Sequence, residues 1–329
     1  MSIKNTRIVN FIEPTLSSET GHCFSFINSL CENKGDISFV LWVSKLSYIF
    51  LEYKNIKINK YFYRRFRKFQ IFFLYQKLIK NNEKIFVSTA SILDLYLINF
   101  AARGVLPSDM VFLYFHWMNN MAEKIPKLEK LAKLQPKITI ICPTKSLVEF
   151  FKSVGFYNSH FIPYPIANKR VSNSSSHTVE FKSVLFAGAA REDKGFSKFV
   201  QLISHAHERK LSVPFTIQIS SDHNGEHDSE TTKNIALLKS IPYAYLNIYD
   251  ETLSSDTYEK LFEGVICVQL YRSNDFADRV SGVTLDALVA GCPIITTEGT
   301  WIAKQVTRFG SGIVVDSSSP GCVHVAIIK

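Results

Sequence analysis

Two aspartates with seven residues between them carry the most informative chemistry in the sequence. Asp278 and Asp286 flank a stretch of small and apolar residues, in which Ser281-Gly282 predicts a turn that opens a helix ending at Gly291. Backbone N–H groups at the start of a helix can bind phosphate, and a carboxylate one or two turns later can accept hydrogen bonds from sugar hydroxyls. The stretch therefore predicts a pocket for a nucleotide sugar.

A second stretch, residues 184–195, has the features of a phosphate-binding turn. An apolar run ends at Gly188, and Arg191, Lys194 and Gly195 follow where a helix is expected to begin. Two cations beside a helix N-terminus can hold the two phosphates of a nucleoside diphosphate. An ordinary strand–turn–helix with exposed charges has the same pattern. In a doubly wound sheet, however, both stretches would lie at the carboxyl ends of strands and face one crevice.

Together these stretches resemble the motifs of the retaining GT-B glycosyltransferases, specifically the family-4-like group that uses nucleotide sugars. That group has a Gly-x-x-x-x-x-Lys-Gly phosphate turn, and later a Glu-x7-Glu motif followed by Ala-x-x-x-Gly-x-Pro. This chain has aspartate in place of both glutamates. The matching residues are Gly188, Arg191, Lys194 and Gly195 in the first motif, and Asp278, Asp286, Ala287, Gly291 and Pro293 in the second.

The resemblance implies a role for each motif. Asp286 would bind the ribose and Asp278 would face the donor sugar, although aspartate is one methylene shorter than glutamate and Asp275 lies close enough to replace Asp278. Arg191 and Lys194 would stabilise the departing diphosphate. The implied donor-binding residues are Gly188, Arg191, Lys194, Ser281, Gly282, Val283, Thr284 and Asp286.

Two places in the first half of the chain are weaker matches to the same group. His116, in Tyr-Phe-His-Trp, ends a predicted strand where many relatives place a histidine near the donor sugar. With Asp278, Arg191 and Lys194 it completes the expected catalytic set, although a histidine at a strand end is often structural. Glu13-Pro14 and Gly21-His22 occupy the place of a small-residue loop that lets a substrate approach the backbone.

The implied reaction is glycosyl transfer with retention of anomeric configuration. The donor is a nucleotide sugar, and the acceptor is a glycan or a polyprenyl-diphosphate-linked sugar. The sequence has no Asp-x-Asp motif in the expected place, so we expect no metal and no other cofactor. The abundance of Lys, Asn, Ile and Phe is typical of AT-rich bacterial genomes, which suggests surface polysaccharide assembly by analogy.

The elements that would position these residues alternate between apolar strands and helices. This pattern is typical of parallel sheets covered on both faces, and two such sets predict the GT-B architecture of two Rossmann-like domains facing a central cleft. Pro163-Tyr-Pro165 and Asn173-Ser-Ser-Ser176 separate the sets, so we place an acceptor-binding domain at 1–168 and a donor-binding domain at 169–329. The predicted strands are Arg7–Glu13, Asp36–Val43, Lys84–Ser88, Met110–His116, Ile138–Pro143, His160–Pro163, Ser183–Ala187, Phe215–Ser220, Tyr245–Tyr249, Val265–Leu270, Pro293–Thr297 and Gly312–Val315.

Composition favours an anionic partner. The 329 residues carry a formal charge of +9, which suits nucleic acid, phospholipid headgroups or phosphorylated substrates. Six scattered cysteines are expected to be buried thiols in a reducing compartment. Neither a signal peptide nor a membrane span is evident, so we expect a cytoplasmic protein, with membrane contact only at its surface.

One segment, Tyr61–Lys80, combines basic and aromatic residues. Phe62, Phe66, Phe69 and Phe73 have the spacing of one helix face, and no acidic residue occurs between residues 53 and 82. The segment is consistent with a core helix that has a solvated basic face. It also suits a helix lying on an anionic membrane, at the inner face of the plasma membrane. Aromatics among basic residues suit single-stranded nucleic acid as well, but we expect no nucleic-acid partner because no recognition motif occurs.

Two other functions fit the architecture. A sugar-nucleotide epimerase also has doubly wound domains, although the turn at Lys194-Gly195 suits it less well. A catalytically degenerate GT-B scaffold would explain aspartate at both glutamate positions. The chain ends about one strand and helix after Gly312–Val315, where relatives continue into a long helix. A truncated domain, a longer parent protein and an atypical C-terminus are the three explanations.

Overall fold

The computed structural model describes residues 8–19, 22–166, 180–221, 227–251 and 253–329. The chain divides into two compact units, residues 1–168 and 169–329. The domain boundary predicted near residue 168 lies in the stretch 167–179, outside the described residues. The first unit contains a seven-stranded sheet and the second a six-stranded sheet, and every strand pair is parallel. The predicted α/β fold of two doubly wound domains is confirmed.

In the first unit the sheet has the strand order β3-β2-β1-β4-β5-β6-β7. The chain therefore builds outward from β1 in one direction and then returns to build in the other. The switch point lies between β1 and β4. The elements are β1 (Ile8–Glu13), α1 (His22–Glu32), β2 (Ser38–Ser44), β3 (Ile56–Phe62), α2 (Arg67–Lys80), β4 (Lys84–Val87), α3 (Ile92–Ala102), β5 (Val111–Tyr114), α4 (Met121–Leu134), β6 (Thr139–Cys142), α5 (Lys145–Ser153) and β7 (Ser159–Phe161).

The apolar strands of this unit supply two cores, one on each face of the sheet. Successive side chains of a strand point to opposite faces. Phe11 thus packs in one core and Ile12 in the other, and the same alternation holds for Tyr114 and Leu113. Burial on both faces explains why these strands are almost continuously apolar.

The second unit repeats the plan, with the strand order β10-β9-β8-β11-β12-β13. Its switch point lies between β8 and β11. The elements are β8 (Ser183–Phe186), a 3₁₀ turn (Glu192–Lys194), α6 (Phe196–Glu208), β9 (Phe215–Gln218), α7 (Ser229–Ser240), β10 (Leu246–Tyr249), α8 (Ser255–Lys260), β11 (Val265–Gln269), α9 (Ser273–Phe276), α10 (Gly282–Val289), β12 (Ile294–Thr297), α11 (Trp301–Phe309), β13 (Gly312–Val315) and α12 (Pro320–Ile328).

All twelve predicted strands exist, but the strand Ile56–Phe62 was missed. It is the edge strand β3, and Lys57 and Lys60 on it are exposed. Edge strands often carry lysine, which discourages pairing with another chain. The same lysines made this stretch look like part of a basic helix.

The cysteines are thiols, as predicted. Cys31, Cys142, Cys267 and Cys292 are buried, and Cys23 and Cys322 are partly buried. Burial raises the pKa of the Cys31 thiol to about 12 and that of the Cys292 thiol to about 11. These thiols therefore stay protonated at neutral pH and pack as small hydrophobic groups.

Candidate functional site

The turn after β8 brings the two predicted motifs of the second unit together. Gly188 has a φ of +89°, which favours glycine. A Cβ on Gly188 would lie 3.1 Å from Cγ2 of Val283 and 3.3 Å from Nζ of Lys194. The Gly188 N–H donates to Oε1 of Gln218 at the end of β9 (2.8 Å). The ammonium of the first motif and the N-terminus of α10 therefore converge on a point that the absence of a side chain keeps open.

Gly195 fixes the 3₁₀ turn against the end of β11. Its φ is +75°, and a Cβ there would lie only 2.2 Å from the backbone oxygen of Leu270. The backbone N–H of Arg272 also donates to the backbone carbonyl oxygen of Asp193 (2.9 Å). Lys194 is thereby held at the switch point of the sheet, where doubly wound proteins place their ligands.

The N-terminus of α10 is capped and held from below. Ser281 Oγ accepts a hydrogen bond from the Thr284 N–H (3.3 Å), and Thr284 Oγ1 donates to Gln269 Oε1 at the end of β11 (2.6 Å). Gly282 is exposed, and a Cβ there would meet no described atom within 4 Å. The first N–H groups of a helix have no partner within the helix, so this end is suited to an anion.

The carboxylate of Asp193 pairs with two arginines, Arg191 beside it in the turn and Arg279 from the segment before α10. Asp193 accepts from Arg191, with Nε at 2.9 Å from Oδ1 and a second bond from Nη2 to Oδ2. Arg279 Nη1 lies 3.4 Å from the same Oδ2. Burial, followed by the charge of Arg191, lowers the pKa of Lys194 to about 8, while Asp193 opposes this shift. The cluster favours the neutral form of the lysine, whereas an anion would favour its charged form.

Asp286 and Asp278 have different surroundings. Asp286 is partly buried in α10 and accepts from the Tyr258 hydroxyl (3.1 Å), and burial with this carboxylate raises the Tyr258 pKa well above its usual range. Asp278 precedes α10 and is ion-paired with Lys304 (3.2 Å), which also donates to the Ala277 oxygen. Asp278 thus lies before the helix and Asp286 in its second turn, and their roles toward donor groups stay predictions.

His116 in the first unit lies in an aromatic cluster. Its ring centroid is 5.3 Å from Phe26, 4.9 Å from Tyr114 and 5.5 Å from Tyr164. Its Nε2 is 2.6 Å from the backbone oxygen of Ser88, which directly follows β4. The side chain is thus held at the switch point of the first sheet. This placement suits both a catalytic and a structural role.

Glu13, at the carboxyl end of β1, is enclosed by donors. Ser88 and Thr89 hydroxyls donate to its Oε2 at 2.7 and 2.6 Å, and Thr15 donates to Oε1 from its N–H and its hydroxyl. The side chain is buried. The predicted loop residue Gly21 lies outside the described residues, and His22 begins α1 with a side chain that is also outside them.

The predicted helical phenylalanine face is partly wrong. Phe62 belongs to β3 and is 1% exposed, because α2 begins only at Arg67. Phe69 and Phe73 do lie on α2, and they are 70% and 58% exposed. The core face of the helix is a different one, made of Ile71, Leu74, Tyr75 and Leu78. The phenylalanines of α2 at positions 69 and 73 therefore lie on the surface rather than in the core.

Within the described ranges, no group of three histidine, cysteine, aspartate or glutamate side chains is arranged to hold a metal ion. Metal independence stays a prediction, since it concerns the reaction. None of the helices in these ranges is long and apolar enough to cross a membrane.

Comparison with solved structures identifies the architecture. No protein-family model and no curated protein matches the sequence. Among solved structures, sucrose-phosphate synthase from Thermosynechococcus elongatus is similar with a TM-score of 0.68 at 11% identity, covering 98% of this chain and 89% of that one. WaaG, a glycosyltransferase involved in lipopolysaccharide biosynthesis, gives 0.63 at 12% identity (98% and 90%). HepE from Anabaena, in complex with UDP and glucose, gives 0.63 at 11% identity (98% and 88%).

The chain has the GT-B fold. The sequence-based expectation of that fold is confirmed, while retention and membership of the family-4-like group stay predictions. The residues that sequence reasoning missed are Gln218, Gln269, Tyr258 and Arg279. The two glutamines share one signal, since each is the polar residue that ends an apolar strand pointing to the switch point.

Proposed function

We propose that this GT-B protein is a glycosyltransferase that takes a sugar from a nucleotide-sugar donor. The observation that carries the proposal is the convergence of Lys194, Gly188 and the N-terminus of α10 in the second unit. An ammonium, a glycine turn and free helical N–H groups provide what a diphosphate requires. Ligand-bound neighbours of the same fold support this choice, since one carries UDP and glucose.

In the proposed reaction, the bond between the anomeric carbon and the diphosphate oxygen breaks as the acceptor hydroxyl attacks from the same face. The hydroxyl proton passes to the departing diphosphate, so retention needs no protein nucleophile. Lys194, Arg191 and the α10 N–H groups stabilise the negative charge that develops on the leaving group. Asp286 would accept hydrogen bonds from the ribose, and Asp278 from the donor sugar.

A thermal-shift screen tests the donor. A ligand that binds only the folded state raises the melting temperature, and this rise grows with ligand concentration. We expect stabilisation by one of the UDP-, GDP-, dTDP- or CMP-sugars, followed by measurable sugar hydrolysis or transfer. The absence of any shift and any turnover would favour the scaffold alternative. Binding with interconversion of the donor sugar, and no release of nucleotide, would favour an epimerase.

The proposed catalytic role of His116 can be separated from a structural one. Phenylalanine at this position retains the contacts with Phe26, Tyr114 and Tyr164 but loses the polar contact with Ser88. If His116 acts on the donor, His116→Phe should lower turnover by at least tenfold with little change in melting temperature. Unchanged turnover would remove His116 from the catalytic set.

The acceptor side of the proposal places the protein at the inner face of the plasma membrane, with a glycan or lipid-linked acceptor for surface polysaccharide. The basic-aromatic surface supports it: exposed Phe66, Phe69 and Phe73 lie beside the exposed basic residues Arg64, Arg65 and Lys68. Each basic residue near an anionic surface contributes about 1 kcal/mol, and the exposed rings add apolar burial.

Vesicle binding tests this surface. Replacing Arg64, Arg65, Arg67 and Lys68 with Gln should abolish salt-sensitive binding to vesicles that contain anionic lipid. The matched control replaces Lys127, Lys130, Lys133 and Lys137, which are exposed on or just after α4 and carry the same total charge. Equal losses in both variants would indicate a general charge effect. A wild type that ignores anionic vesicles would exclude the membrane role.

A further inference from the structure

Arg279 joins the donor site through a residue of the other motif. Arg279 precedes α10, whereas Asp193 belongs to the 3₁₀ turn after β8, 86 residues earlier. Asp193 pairs with Arg279 and with Arg191 at the same time, so one carboxylate links the two motifs. The side chains involved are 18–30% exposed, so solvent screens their charges only in part.

The cluster holds three cations near the single carboxylate of Asp193. Arg191 and Arg279 both disfavour the charged form of Lys194, and Arg191 does the same to Arg279. Asp193 opposes these effects, and Asp275 does so for Arg279. The Arg279 guanidinium also lies over the Phe276 ring at 4.8 Å, which fixes its position. Like charges held together at partly buried positions are unfavourable until an anion binds among them.

The geometry leaves the Arg191 guanidinium with hydrogen-bond donors for that anion. The two bonds from Arg191 to Asp193 use two of the five N–H donors of a guanidinium. Asp193 therefore orients Arg191 without using its full donor capacity. Nζ of Lys194 lies 3.3 Å from the point that a Cβ on Gly188 would occupy, and Val283 of α10 lies 3.1 Å from the same point. Lys194 therefore connects the cluster with the start of α10.

We infer that Arg279 is a third cation that contacts the donor phosphates, together with Lys194 and Arg191, and that Asp193 is the residue that positions both arginines. The inference rests on the proposed function, because it takes the anion to be the diphosphate of a nucleotide sugar. It assigns a ligand role to Arg279, which lies within the second motif but is not among its matching residues. It also assigns a favourable effect on anion binding to a negatively charged residue.

Calorimetric titration of the full chain tests Arg279. The probes are pyrophosphate, the nucleoside diphosphate that the donor screen identifies, and the corresponding nucleoside. Arg279→Gln should weaken both phosphate probes about tenfold or more and leave the nucleoside unchanged, and Arg279→Lys should recover part of the loss. Arg308→Gln is the matched control, since Arg308 is an exposed arginine at the end of α11. An Arg279→Gln variant that matches this control would overturn the inference.

Asp193→Asn tests the positioning role and distinguishes it from simple charge. If only net charge mattered, removing the carboxylate would strengthen pyrophosphate binding. If Asp193 orients the arginines, the same change should weaken it, and tighter binding would refute the positioning role. Equal losses for nucleoside and diphosphate in either variant would indicate general damage to the site and also contradict the inference. A wild type that binds no phosphate probe would instead refute the proposed function.

Discussion

At the carboxyl edge of the first sheet, neighbouring residues hydrogen-bond or enclose the polar side chains. At the same edge of the second sheet, positively charged side chains lie close together. Glu13 receives hydrogen bonds from Thr15, Ser88 and Thr89, and His116 is enclosed by aromatic rings. In the second unit Arg191 and Arg279 pair with the same carboxylate, and burial and the charge of Arg191 lower the pKa of the neighbouring Lys194. The two sheets have the same topology around the switch point, so the difference comes from side chains alone.

This difference indicates what each edge does. A buried carboxylate with several donors stabilises the loops that follow β1 and β4, because leaving any of these groups unpaired would cost free energy. A group of cations that outnumbers the nearby carboxylates is stabilised when an anion binds. We therefore expect the first edge to contribute more to stability and the second edge to contribute more to ligand binding.

The largest expected effect is on the stability of the first unit. Glu13→Ala removes the acceptor of Ser88, Thr89 and Thr15, and should lower the free energy of unfolding by about 3 kcal/mol. Glu13→Gln should cost less, because the hydroxyls can rotate to accept from its amide. Glu129→Gln, at an exposed position of α4, is the control. Chemical denaturation measures all three, and nucleoside diphosphate affinity should be unchanged in the variants that fold.

The opposite pattern is expected for Lys194→Met in the second unit. Loss of a charged hydrogen bond to phosphate should weaken nucleoside diphosphate binding by about 1.5–3 kcal/mol, roughly 10- to 100-fold, with nucleoside binding retained. The melting temperature without ligand should stay the same or rise. The control is Lys182→Met, which removes the same charge just before β8, where Lys182 pairs with exposed Glu263. A similar loss of affinity in both variants would contradict a specific phosphate contact.

Sequence patterns predicted the sheets well for a physical reason. Central strands such as β6 and β8 are buried on both faces and are therefore nearly continuous in apolar residues. The missed strand, β3, lies at an edge of its sheet and carries exposed Lys57 and Lys60, so its polar positions resemble a solvated helix. Phe62 was assigned to the neighbouring helix for the same reason.

The candidate donor site could be predicted from the sequence only where its residues are close together along the chain. Gly188 and Lys194 lie in one turn, and Ser281 to Thr284 in another, so spacing alone suggested both. Arg279 meets Asp193 from 86 residues away, and Gln269 meets Thr284 from 15 residues away. These contacts depend on which strands are neighbours in the sheet. A single sequence does not encode them in any local spacing.

A smaller effect should separate the two aspartates of the second motif. Asp286→Asn keeps the shape but replaces a charged acceptor, so affinity for a ribose-containing nucleotide should fall by about 1 kcal/mol, roughly fivefold. Asp278→Ala should lower turnover more than affinity, with little effect on stability, because its pairing with Lys304 is a partly exposed ion pair. Asp275→Ala is the comparison. If it lowers turnover and Asp278→Ala does not, the donor-sugar role belongs to Asp275.

The effect most specific to the second unit is a dependence of stability on pH. Burial and Arg191 lower the pKa of Lys194 to about 8, whereas an unfolded lysine titrates near 10.4. Between these values the unfolded chain binds more protons at this position, so stability should rise with pH, by at most about 1.4 kcal/mol per pH unit. Denaturation of the wild type between pH 7.5 and 10 should show this rise, and Lys194→Met should lack it.

Nucleoside diphosphate binding should reverse the shift, because a phosphate beside Lys194 favours the charged ammonium. Binding between pH 8 and 9 should therefore take up a fraction of a proton, which calorimetry detects as a dependence of the binding enthalpy on the ionisation enthalpy of the buffer. Lys194→Met should lose this uptake, while Lys182→Met keeps it. Equal uptake in wild type and Lys194→Met would show that the proton goes elsewhere, and that the second edge does not hold its anion through this ammonium.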